Sequence, residues 1–298
     1  MILSKNVVEI FCEIDDFCKQ FEKTWNRSLI ESGEKKRIKA SSLCLSEIMT
    51  ILVLFHQSGY RTFKMYYTKH VLIHWLSEFP HAVSYNRFVE LMESALVPLL
   101  TYLQTCRLGN VTGISFIDST LLRVCDNHRI HNHKVFAGIA QRGKCSLGWF
   151  FGFKLHLIVN DQGELISFAL TPGNVDDRDK QVITHLTQPV FGKLFGDKGY
   201  LSQERFRELY LRGIQLVTKL KKNMKNRLVD LMDKVLLRKR ALIESINDEL
   251  KNICQIEHSR HRSPMNFVIN LLSGLIAYTF FPKKPSLNFP AHLLPAIA

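Results

Sequence analysis

The run Gly113-Ile114-Ser115-Phe116-Ile117-Asp118-Ser119-Thr120 restricts this chain more than any other. Four residues rich in β-branched and aromatic types, opened by a glycine and closed by an acid with two hydroxyls, read as a buried strand that emerges at a sheet edge. Strand ends are where α/β sheets place their chemistry. A strand-terminal Asp that only caps a turn has the same local pattern, so Asp118 needs company before it can be a ligand.

Two further acids supply it. Asp197 ends a second short apolar run, Lys193-Leu194-Phe195-Gly196-Asp197-Lys198-Gly199-Tyr200, and Glu244 lies in a charged helical pattern from Leu228 to Ile253. Two strand-end aspartates and a helical glutamate form a donor set for hard divalent cations, which prefer carboxylate oxygens and keep waters that phosphates can replace. Two such ions about 4 Å apart activate an attacking oxygen and stabilise a leaving one. At about 100° per residue, Arg240, Glu244 and Lys251 fall within about 40° on one face of a continuous helix. An ordinary exposed ion pair between Arg240 and Glu244 is the plainer reading of the same spacing.

Charge narrows the partner. The chain has 298 residues, a formal net charge of +13 and a pI of about 9.4. Such a balance points to an anionic partner, nucleic acid before membrane, since no basic amphipathic anchor stands out. The cluster Lys219, Lys221, Lys222, Lys225 and Arg227 sits between two elements of the expected site, suited to phosphates. Seven cysteines without a Cys-x-x-Cys pair fit reduced thiols in a cytosolic protein. The most apolar run, Phe267 to Phe281, contains Asn270, Ser273 and Gly274 and is shorter than the about 20 residues of a spanning helix, so it reads as a buried C-terminal helix.

Element order gives the architecture. Residues 1–110 read as an all-helical N-terminal domain, with helices from Val7 to Trp25, about Ser46 to His56, Thr62 to Leu76, and Ser84 as N-cap to Gln104. A charged linker, Glu31 to Lys39, separates the first two. Short helices with Gly-containing turns are compatible with DNA reading or with dimer contacts. Residues 111–263 read as a mixed domain of order β, β, β, α, β, α, β, α, the order of a ribonuclease-H-like α/β fold. There the first and fourth strands lie side by side, so Asp118 and Asp197 meet at one sheet edge. The interval from Asp197 to Glu244 is too short for an inserted domain. Residues 264–298 form a C-terminal apolar helix and tail. His128, His131 and His133 read as a basic phosphate-contacting loop, His156 as a core or supporting residue, and Asp176, Asp177 and Asp179 as acids at a helix start.

These motifs together resemble the insertion-sequence DDE transposases. Asp118 in Phe-Ile-Asp-Ser-Thr, Asp197 in Gly-Asp-Lys-Gly-Tyr, and Arg240-x3-Glu244-x6-Lys251 look like the acidic triad and third signature, closest to the insertion-sequence 982 family. The likeness extends through Gly173 to Arg178, Glu257 to Ser263, and Phe280 to Pro285. One departure is Leu237, where related groups carry a Tyr. The resemblance implies an enzyme that binds terminal inverted repeats, cleaves at element ends and joins 3′-hydroxyls to target DNA. It implies Asp118, Asp197 and Glu244 as catalytic metal ligands for two Mg²⁺ or Mn²⁺ ions. DNA contacts would come from Arg240, Lys251, Lys198, Lys219, Lys221, Lys222, Lys225, Arg260 and Arg262. A homodimer on double-stranded DNA, in a bacterial cytoplasm at the nucleoid and without membrane, completes the expectation. A nuclease that cuts without joining, or a decayed DNA-binding regulator, are the alternatives.

Overall fold

The structure, a computed structural model, describes residues 7–32, 41–145, 148–200, 203–219, 230–257 and 261–287. Contacts divide the chain into two units, Met1–Arg107 with Leu250–Pro282, and Leu108–Glu249 with Lys283–Ala298. The expected segments 111–263 and 264–298 are therefore each shared between the units.

In the helical unit, α1 (Val7–Glu31) buries Ile10, Ile14 and Cys18 at helical spacing. Its neighbour α2 (Leu45–Phe55) is apolar nearly all round and buried from Ile48 to Phe55, as a central helix must be. Glu47 Oε2 accepts from the Cys44 backbone N–H at 2.7 Å and closes the first turn of α2. The expected helix Thr62–Leu76 is interrupted: α3 (Phe63–Tyr66) runs into a π-turn, Tyr67–Val71, and then α4 (Leu72–His74). Aromatic packing explains the break, because Tyr66 and Tyr67 are both fully buried and a wider turn lets consecutive rings enter one core. The next expected helix is likewise divided into α5 (Tyr85–Met92), a 3₁₀ turn, α6 (Leu96–Tyr102) and a second π-turn.

The sheet unit is built on β1 (Ile114–Cys125). Sequence reading ended this strand at Asp118, but it continues, because β3 (Gly148–Asn160) pairs antiparallel with it out to Cys125. A short β2 (Gln141–Cys145), which the sequence did not announce, and β4 (Leu165–Pro172) take successive stretches of the other edge of β3. On the opposite side, β5 (Gly192–Gly196) runs parallel to β1, and β6 (Ile214–Thr218) runs parallel to β5. Gly192, at φ +78°, opens β5 where a Cβ would lie 2.5 Å from the Gly113 carbonyl oxygen.

Helices α7 (Lys180–Leu186) and α8 (Gln203–Leu211) follow β4 and β5. Their apolar side chains Val182, Ile183, Leu186 and Leu209 join Ile117, Ile158, Leu194 and Leu216 in one core. Phe116 and Phe195 point to the other face and stack at 5.5 Å. The single helix expected from 227 to 253 is two helices and a turn: α9 (Leu231–Lys239), α10 (Ala241–Asp248), and a π-turn over Glu249–Ile253. The final helix α11 (Pro264–Thr279) is almost wholly buried and packs on α2 and α6. No described helix is long and apolar enough to cross a membrane.

Candidate active site

Parallel pairing of Ile114 with Lys193, Ser115 with Leu194 and Phe116 with Phe195 fixes the relation between the two aspartate strands. Carried two residues further, the same register sets Asp118 level with Asp197, just where β5 ends and β1 runs on. Residues 114–117 are buried, and Asp118 is the first on the strand to open toward solvent. The sheet therefore delivers Asp118 at the boundary between core and water, while Asp197 is exposed in the turn that follows β5.

From the α9–α10 junction, Arg240 reaches two of the three acids, Glu244 and Asp118. Its Nη2 donates to Glu244 Oε1 at 2.6 Å and its Nη1 lies 3.7 Å from Asp118 Oδ1. Asn247, one turn beyond Glu244, donates from Nδ2 to Asp118 Oδ2 at 3.2 Å. Burial pushes the Asp118 carboxyl up to about 6, against the downward pull of the Arg240 guanidinium, and the charges of Glu244 and Asp177 add to the rise. Glu244 is the wetter partner, with 56% of its side chain exposed against 21% for Asp118.

A second polar group gathers around the next residue of β1. Ser119 Oγ donates to Asp177 Oδ1 at 3.0 Å, and Lys154 Nζ donates to the same oxygen at 3.1 Å and to the Val175 carbonyl at 2.9 Å. His156 Nδ1 lies 4.0 Å from Asp177, while its Nε2 is paired with Thr171 Oγ1 at 2.8 Å. Burial pushes His156 down to about 4, although Asp177 pulls the other way, so the ring is neutral at pH 7. Of the three acids before α7, Asp179 caps the helix through Gln181 and Val182, and Asp176 pairs with Arg178. Only Asp177 turns toward β1. Asn247, on the helical face next to Glu244, is the member that sequence reading missed; Asp177, from a loop, was one of a group of polar residues before α7 that sequence reading did not separate.

The remaining expected contacts separate. Lys198 and Lys219 are exposed just past β5 and β6, at the same sheet end as Asp118. Lys251 and Arg262 belong to the helical unit, where Lys251 Nζ lies 3.3 Å from Glu257. The continuous helix expected to carry Arg240, Glu244 and Lys251 is broken at Arg240 and passes into a π-turn over Glu249–Ile253, which contains Lys251. Lys221, Lys222, Lys225, Arg227 and Arg260 lie outside the described residues. His128 and His131 occupy a 3₁₀ turn, Asn127–Asn132, and His133 stacks on Phe136 at 5.6 Å.

As the side chains stand, no three His, Cys, Asp or Glu among the described residues are grouped closely enough to hold an ion. The donor chemistry nevertheless fits a hard cation. Asp118 is a half-buried carboxylate with a raised proton affinity, and the Arg240 guanidinium sits between it and Glu244.

Strand order β4–β3–β1–β5–β6, with β3 antiparallel and β5 and β6 parallel to β1, defines a ribonuclease-H-like α/β domain with acids at its strand ends. The chain belongs to the transposase DDE domain family, whose model matches residues 108–264. Such domains depend in general on a divalent metal. Among solved structures, similarity is found to a piggyBac transposase synaptic complex with hairpin DNA, at 11% identity over 92% of this chain and 72% of that one, with a TM-score of 0.48. The Mos1 strand transfer complex is matched at 10% identity, 89% and 84% coverage and a TM-score of 0.23. A simian T-cell lymphotropic virus intasome in complex with the PP2A regulatory subunit B56 gamma is matched at 13% identity, 67% and 71% coverage and a TM-score of 0.28. Curated proteins gave no match.

Proposed function

We propose that the protein is the transposase of an insertion sequence, of the 982 family, acting on double-stranded DNA at the element's terminal inverted repeats. Water attacks phosphorus at the element end and the bond to the 3′ oxygen breaks; the freed 3′-hydroxyl then attacks a target phosphodiester in line, and the target strand's own 3′ oxygen leaves as the new bond forms. Asp118, Asp197 and Glu244 would hold two Mg²⁺ or Mn²⁺ ions. When bound, such ions activate the attacking oxygen and offset charge on the leaving one. Asn247 and Arg240 orient the Asp118 carboxylate, and Asp177, fixed by Lys154 and Ser119, keeps a further negative charge beside it. Lys198 and Lys219 stand where a phosphate backbone crossing the sheet end would pass. The helical unit, including Arg262, would bind the repeats, and a homodimer on DNA would bring two ends together.

The observation that carries this reading is Asp118 itself, a carboxylate pushed to about 6 where β1 leaves the core, level with Asp197 and bridged through Arg240 to Glu244. Its test uses Asp197→Asn. Cleavage of an element-end duplex is expected to disappear while duplex affinity is kept; undiminished cleavage removes Asp197 from the site. Pre-cleaved 3′-hydroxyl ends supplied with a plasmid should give joined product, which a nuclease lacking strand transfer cannot form.

A further inference from the structure

The helical unit contains a cavity of about 520 Å³ whose walls include Phe63, Lys64, Tyr85, His261, Arg262 and Asn266. Sites for small organic ligands span about 300–1,000 Å³, so the volume suits one. No Asp or Glu is among its lining residues. Lys64 and Arg262 are exposed and so stand on its rim, with Lys64 Nζ 5.8 Å from the centre of the Tyr85 ring. Phe63 is held by Phe55, Tyr66 and Phe88, which makes the aromatic wall rigid.

Deeper in, two polar atoms are unsatisfied. His261 Nε2 and Asn266 Oδ1 are buried and have no hydrogen-bond partner. Burial, with the neighbouring His56, pushes His261 down to about 4, so its imidazole is neutral. Buried polar groups in native folds are nearly always paired, and leaving them unpaired is costly, so a small shift of these two lining side chains toward the cavity would let a ligand's polar edge pair them.

A flat ring to stack, a polar edge to pair and an anion to neutralise are the three parts of a nucleotide. We propose that this cavity receives one nucleotide turned out of a DNA strand, its base against the aromatic wall, its edge toward His261 and Asn266, and its phosphate toward Lys64 and Arg262. The inference rests on the reading of DNA as partner.

Three duplexes of one sequence test it: fully paired, with a single-nucleotide bulge, and with the same bulge made abasic. The base-bearing bulge should bind roughly 10-fold tighter than either of the others, the scale of one base stacked on an aromatic side chain. That ratio should fall to near one in Asn266→Leu, which replaces the amide with an apolar side chain, and in Tyr85→Ala, with thermal melts confirming that each variant folds. Equal affinity for base-bearing and abasic bulges, or a ratio unchanged in both variants, overturns the proposal. Calorimetric titration with deoxyadenosine monophosphate separates the sources: binding that Asn266→Leu removes, without any bulge preference, assigns the cavity to a free nucleotide and overturns the strand-borne form. Failure to bind any of the three DNAs removes DNA as the partner, and the same titration then decides the cavity's chemistry on its own.

Discussion

Asp118 shows how a single side chain can cost the fold something that its chemistry needs. Its carboxyl titrates at about 6 in the folded chain against 3.8 ordinarily. The folded state therefore holds the proton more tightly, and stability falls as pH rises from about 4 to about 6, remaining at the lower level above. Asp118→Asn removes the penalty, so the variant should be more stable than the parent at pH 7 by on the order of 2 kcal/mol, with the difference vanishing below about pH 4. Urea unfolding at both pH values measures it. Millimolar Mn²⁺ should raise the melting temperature of the parent and not that of the Asn variant; an equal rise in both would separate ion binding from Asp118. This residue was singled out in the sequence only in company, because a strand-end acid alone reads equally as a turn cap and Asp197 and Glu244 complete a donor set. Asp177 was not, since three acids before a helix look alike in sequence, and only the arrival of Ser119 and Lys154 distinguishes the one that turns toward β1.

Among the elements, what positions Arg240 is the attachment of α9 to the sheet. Lys193 of β5 and Asp233 of α9 meet at 2.6 Å, with side chains only 19% and 6% exposed. Removing one partner of such a pair leaves the other charge buried, so Asp233→Ala should destabilise the protein by about 3 kcal/mol. Adding Lys193→Met should recover much of that loss, and denaturant titration of the single and double variants reads both. Helical periodicity located the stretch but not its breaks. An apolar stripe continues through Arg240, whereas the chain ends α9 there and widens into a π-turn nine residues later at Glu249. An acid misled at β1, whose end was read at Asp118 although pairing with β3 carries the strand to Cys125. β2 was missed because Gln141-Arg142-Gly143-Lys144-Cys145 has none of the apolar alternation of a half-buried strand, being an edge held by backbone pairing to β3.

Over the whole molecule, the net charge of +13 makes DNA affinity a matter of counterion release. The logarithm of the binding constant should fall steeply with the logarithm of salt, and Lys198→Gln and Lys219→Gln should each reduce the slope by about 1. An unchanged slope would mean that the strand-end lysines do not meet phosphate. Because Leu250–Pro282 joins the N-terminal helices in one unit, a fragment of residues 1–107 lacks the helix that covers α2 and α6. It should melt without a cooperative transition and bind a hydrophobic dye, and a fragment carrying 250–282 on a flexible tether should regain the transition. The closing helix also follows the sheet-forming region in the order of translation. Ribosomes deliver the whole sheet-forming region before the first helices can be sealed, so until Pro282 emerges those helices expose an apolar surface, and trigger factors or other nascent-chain chaperones have a defined interval in which to guard it.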